Sequence, residues 1–231
     1  MGTSIALIAI QSMFIVLIHR GRYSAALAPT RRPVREYVEV AFVVLALLIV
    51  PFIKFNMLWF SGWLSAYLVF LVLAPLVMEW LVRRRSLAVI GFRMPQNGRG
   101  LTLVAVVSGL YLVARLAWPL AQGRAYQFDL QSFISNSILF AFLEEAMFRG
   151  VIQTRLESAL GAVRSWVLSG LFFGFYHLYV HYLVRGQAVA VVDMLSLASL
   201  AVLGMLLGVV FAKTRSLLPS FVIHALHNLA L

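Results

Sequence analysis

Apolar residues fall in eight long runs separated by short polar and basic breaks: Thr3–Ile18, Tyr37–Ile53, Met57–Leu81, Leu101–Leu120, Gln131–Gln153, Ser165–Tyr182, Val189–Ala212 and Leu217–Leu231. A membrane-spanning helix needs about 20 such residues, with a range of about 17–25. The pattern therefore predicts an all-α, polytopic membrane helix bundle of about eight transmembrane helices, the first and last being short. Open strands are excluded, because lipid leaves their edge N–H and C=O groups unpaired. Between the third and fourth runs, Ser86–Pro95 mixes Leu87, Val89, Ile90 and Phe92 with basic neighbours, which predicts a short interfacial piece. The first run has its positive charges after the apolar stretch, unlike a secretory signal. No repeat or low-complexity tract interrupts the runs, so residues 1–231 are expected to form one integral-membrane domain.

Composition agrees with that reading. Hydrophobic residues make up 62% of the chain and charged residues 12%, with a mean hydropathy of +0.94. A soluble domain averages about 25% charged residues. The net charge of +11 comes from 19 basic and 8 acidic residues. Fourteen basic residues follow odd-numbered runs, among them Arg31, Arg32, Arg83, Arg84, Arg155, Lys213 and Arg215, and three (Lys54, Arg124, Arg185) follow even-numbered ones. Such a bias predicts cytoplasmic odd loops, both termini outside, and a multi-pass protein of a cell membrane, with the lipid bilayer as partner. A eukaryotic targeting signal is missing, which favours a prokaryotic plasma membrane. Nucleic acid is not an expected partner, since no separate basic domain remains to bind it. Cysteine is absent, which excludes disulfides, thiolate metal sites and a cysteine nucleophile.

Ionisable residues inside apolar runs are costly and mark functional candidates. They gather late in the chain: Glu144, Glu145, Arg149, His177, His181, Asp193, His224, His227 and the neighbouring Asn228. Glu79 and Arg115 stand near run ends, where snorkelling explains them. Glu145 and Arg149 are four apart with the acid first, the spacing of a helical ion pair. Glu144 projects about 100° away and has no partner on its own helix. Buried without a cation, it would have a raised pKa and act as a proton acceptor. The blander reading is a structural ion pair plus a second acid in a water-filled cleft. Gly170, Gly174, His177 and His181 lie within about 60° of one another, so the tight-packing glycine face also carries imidazole. His224 and Asn228 share a face and suit a developing oxyanion; polar glue between helices is the alternative. Measured from the basic run ends at 1.5 Å per residue, Glu144 lies about 16 Å in, His177 about 20 Å and His224 to Asn228 about 14–20 Å. Three helices thus place polar groups in one layer, which predicts a single site.

Glu144–Glu145 with Arg149, Phe173 with His177, and His224 with Asn228 stand in the order of the EExxxR, FxxxH and HxxxN motifs. On these residues the chain resembles the CPBP family, which includes CAAX prenyl-protein endopeptidases and bacteriocin-processing or immunity proteins. The resemblance covers about residues 130–231. It implies an intramembrane endopeptidase in which Glu144 and His177 activate water, His224 and Asn228 stabilise the oxyanion, and Glu145 and Arg149 support them. Its substrate would be a membrane-anchored protein or C-terminal-tail peptide: a prenylated tail, a bacteriocin leader or a sorting segment. Zinc held by His177, His181, His224 and Glu144 is disfavoured, because an Asn and a second His fit a metal-free oxyanion site better; no cofactor is expected. Neither HExxH nor GxSxG is present. The alternatives are a non-catalytic scaffold or immunity protein, and a proton-coupled transporter. A transporter relay would run across the membrane, whereas these groups form a layer.

Overall fold

A computed structural model describes residues 2–20, 33–49, 86–95, 98–121, 129–180 and 191–229, with isolated positions between them. Every regular element among the described residues is a helix: α1 (Gly2–Arg20), α2 (Pro33–Ile49), a 3₁₀ turn (Leu87–Ile90), α3 (Gly98–Ala121), α4 (130–160), α5 (Ala162–Tyr179), α6 (Val191–Thr214) and α7 (Leu217–His227). The expected span Met57–Leu81 falls almost wholly outside the described residues, as does His181.

The helix bundle is as the periodicity predicts, but its eight membrane-spanning helices are not. Among the described residues one helix, Met194–Thr214, is long and apolar enough to cross a membrane; Leu7–Arg20 and Leu217–His227 are apolar but shorter. The expected polytopic membrane architecture, multi-pass localisation, bilayer partnership and intramembrane setting are corrected accordingly. Two physical features account for the difference. First, much of the apolar sequence forms a helix–helix core: Leu203, Leu206, Leu207, Val209, Val210, Phe211 and Ala212 of α6 are all buried. Second, three basic residues that the run spacing places in loops are buried and bonded inside the fold. Arg155 pairs with Glu36 and Glu39 of α2, Arg215 grips Glu157 with two nitrogens at 2.7 and 2.5 Å, and Lys213 donates to the His19 carbonyl. Charges paired in this way carry no orientation signal. Apolar side chains also remain on the outside of α2 and α3, Val38, Phe42 and Val113 among them.

α6 is the central helix, packed chiefly on α5 and α1. The α5–α6 contact is close because small residues face each other. A Cβ on Gly170 would lie 2.5 Å from the Met205 backbone nitrogen, and one on Gly174 would lie 2.6 Å from the Ala201 Cβ. This is the close approach expected of the glycine stripe. The corner between α6 and α7 is held by the segment 86–95, which packs inside the fold by hydrogen bonds. The Leu217 N–H donates to the Gly91 carbonyl, Arg93 Nε to the Arg215 carbonyl and the Ser216 hydroxyl to the Arg93 carbonyl. Gly91 adopts φ +93°, and its Cβ would meet the Phe211 ring at 2.6 Å, so glycine is required there. These bonds set where α7 begins, and α7 carries His224.

Candidate active site

α4 is expected from sequence as one regular helix, yet its hydrogen-bond register changes along its length. Leu130–Ser132 leads into a π segment, Phe133–Phe140; an α turn, Ala141–Glu145, follows; then come a second π segment, Ala146–Gln153, and the final Thr154–Leu160. π turns concentrate at functional sites because they widen the helix and re-aim side chains. Hydroxyl groups bond to the carbonyls around the widened turn: Ser169 donates to the Phe148 carbonyl at 3.0 Å, and Thr154 to the Arg149 carbonyl at 3.0 Å. The short α turn between the two π segments bears both glutamates.

Glu145 and Arg149 form the expected i,i+4 pair, with Nε 3.3 Å from Oε2 and both side chains fully buried. Arg149 also donates from Nη2 to the Gly204 carbonyl of α6 at 3.0 Å. The second Glu145 oxygen accepts from His224 Nδ1 at 2.9 Å, and the buried Ser220 hydroxyl, one turn earlier on α7, stands near the same carboxylate while donating to the Leu217 carbonyl at 3.1 Å. Burial alone would raise the Glu145 pKa, but the Arg149 charge and the His224 hydrogen bond outweigh it and hold the group below its ordinary value.

Glu144 has the opposite environment. Its Oε2 lies 3.5 Å from His224 Nε2 and 4.0 Å from His177 Nε2. Burial pushes its pKa up to about 7; the adjacent Glu145 charge adds to this, while His224 and Arg149 pull against it. His177 is partly exposed, so this edge of the site opens outward.

The hydrogen-bond partners define both imidazoles. His177 Nδ1 is 2.8 Å from the Phe173 carbonyl, which only accepts, so Nδ1 carries the proton and Nε2 faces Glu144. His224 Nδ1 is likewise protonated toward Glu145, so Nε2 can donate only when the ring carries both protons. Asn228 lies one turn beyond His224. Its side-chain amide donates to the Asn136 carbonyl at 3.2 Å, and a second N–H remains on that nitrogen. The structure thus gathers Glu144, Glu145, Arg149, His177 and His224 in one cluster, while the Asn228 side chain, one turn beyond His224, is bonded to Asn136 of α4. Ser220 was not singled out from sequence, although its four-residue spacing from His224 carried the signal. The side chain of Asp193 lies outside what the structure describes.

Residues 126–230, covering α4 to α7, match the family described as type II CAAX prenyl endopeptidase Rce1-like. Over this region, a little under half of the chain, the sequence is similar to that family. The Rce1-like region therefore has the fold of a CAAX-type protease family, and it contains every residue of the cluster, whereas α1, α2 and α3 lie before it. No curated protein and no solved structure matches the chain. Among the described residues, no three His, Cys, Asp or Glu side chains are grouped to hold a metal ion.

Proposed function

We propose that the cluster is the active site of an endopeptidase that hydrolyses a peptide bond near the C-terminus of its substrate. The observation that carries this reading is the position of Glu144 Oε2 between two imidazole Nε2 atoms, 3.5 and 4.0 Å away. The 4.0 Å gap to His177 is too long for a direct hydrogen bond and suits a bridging water. Glu144 takes a proton from that water while His177 Nε2 orients it. The resulting hydroxide adds to the scissile carbonyl, and its oxygen becomes an oxyanion. Doubly protonated His224 donates to the oxyanion from Nε2, and Asn228 donates its second amide N–H. When the C–N bond breaks, Glu144 passes its proton to the leaving amine. A carboxyl near 7 suits both halves of this transfer. Glu145, paired with Arg149, accepts from His224 Nδ1 and fixes the orientation of that ring.

The family description names a prenyl endopeptidase, so a peptide with a prenylated CAAX tail is the substrate for the test. Purified full-length chain is expected to cleave it. Glu144→Ala and His177→Ala should abolish cleavage while leaving the fold intact. Asn228→Ala should retain activity reduced about 100- to 1,000-fold, the usual loss of one oxyanion donor. Full activity in Glu144→Ala overturns the reading. Activity removed by a chelator and restored by zinc overturns the metal-free mechanism.

A further inference from the structure

Phe173 is fully buried on α5 at the centre of the cluster. Its ring centroid lies 4.5 Å from that of His177 and 5.4 Å from that of His224, edge to face. The Arg149 guanidinium stands 5.0 Å from the same centroid, within the roughly 6 Å range of a cation–π contact. Phe148 packs edge-on against it at 5.1 Å. The backbone of Phe173 acts too, since its carbonyl accepts the His177 Nδ1 proton. One residue therefore touches both imidazoles facing Glu144 and the cation that holds Glu145. Leucine would fill such a core position, but without a flat face and polarised edge to set the angle of two neighbouring rings.

We propose that Phe173 is a positioning residue: its ring fixes the spacing and tilt of His177 and His224 about the Glu144 carboxylate and seats Arg149. It touches neither water nor substrate in the hydrolytic reading, on which its effect on rate depends. The energetic logic is orientation. A near-attack geometry is lost over about 1 Å, and such a displacement costs about 100-fold in rate.

The test compares Phe173→Leu and Phe173→Met with wild type, using Phe148→Leu as a control that removes a ring packed on Phe173 and Tyr176. Long-range proton–nitrogen NMR on ¹⁵N-histidine-labelled full-length protein reads the imidazole tautomers, assigned with His177→Gln and His224→Gln. In wild type and Phe148→Leu, His177 should show the Nδ1–H form and His224 a proton held on Nδ1. In the Phe173 variants the rings lose the tilt that aims Nδ1 at the Phe173 carbonyl and at Glu145, so one or both should lose the fixed Nδ1 proton and exchange it between the ring nitrogens while circular dichroism stays unchanged. In the peptide assay, kcat should fall about 10- to 100-fold with KM within about twofold. Wild-type tautomer signals in both Phe173 variants overturn the proposal. So does loss of the fold in both while Phe148→Leu folds, because Phe173 is then a core residue. If wild type cleaves no prenylated peptide, the hydrolytic reading fails, and the tautomer measurement still decides the role of Phe173.

Discussion

Glu144 and Glu145 are adjacent in sequence, yet the fold pushes their acidities apart. Glu145 faces Arg149 and His224 Nδ1 and stays ionised, whereas burial raises Glu144 from 4.5 to about 7. Pairs of titratable groups driven apart in this way assign acid–base roles by environment. Two consequences can be measured together. Below pH 7 Glu144 is protonated and cannot take a proton from water, so kcat/KM should climb as pH rises through about 7. Stability should run the other way. A carboxyl whose folded pKa lies above its unfolded one binds more protons when folded, so its stabilising contribution is lost as pH rises from 4.5 through 7. Glu144→Gln, inactive, should therefore be more stable than wild type at pH 8 by about 3 kcal/mol, the gap closing toward pH 4.5. Urea melts at the two pH values read this directly; equal stabilities at pH 8 would show that Glu144 is not raised.

At the scale of elements, two devices shape the site: the alternating register of α4 and the glycine contact between α5 and α6. The register places Glu144 and Glu145 on a five-residue α turn with a π segment on either side. The glycine contact brings Gly204 of α6 close enough for its carbonyl to accept from Arg149. Two alanine substitutions separate packing from helix propensity. Alanine is favoured over glycine in a helix by about 1 kcal/mol. At Gly109 of α3, where nothing lies within 4 Å of an added Cβ, Gly109→Ala should stabilise by about that amount. At Gly170 the added Cβ would meet the Met205 backbone at 2.5 Å, and Gly170→Ala should destabilise by about 1–3 kcal/mol. Thermal melts of the two variants check the contrast.

On the scale of the whole molecule, the Rce1-like region leans on the helices that precede it. Phe14 and Ile18 of α1 are buried in the core that α6 completes. The guanidinium of Arg155, nearly fully buried, has its carboxylate partners on α2. Removing one partner of a buried pair costs about 3–5 kcal/mol, and uncovering the α1 contact adds a hydrophobic loss. A chain lacking residues 1–49 is therefore expected to lose its cooperative thermal transition and to be digested rapidly in limited proteolysis, although it keeps every residue of the cluster. A stable, protease-resistant fragment would show that the C-terminal region is an independent domain.

Helical class, the Glu145–Arg149 pair, the glycine stripe and the late concentration of ionisable groups were all legible in the sequence, because each rests on local spacing that the 3.6-residue helix repeat converts into a shared face. The number of membrane-spanning helices was not legible. An apolar run reads alike whether it faces a bilayer or packs in a core, and only tertiary contacts show that much of α6 is covered and that Arg155, Lys213 and Arg215 are bonded inside the fold. The same limit applies within the site. Regular helix geometry left Glu144 without a partner on its own helix, and only the approach of α5 and α7 puts two imidazoles beside it. Nor does a local pattern announce the π segments; the bond from Ser169 of α5 to the Phe148 carbonyl inside one of them forms only when the helices pack. Sequence spacing determined which side chains share a helix face. Packing between helices decided which of them meet, which are buried, and therefore which hold a proton.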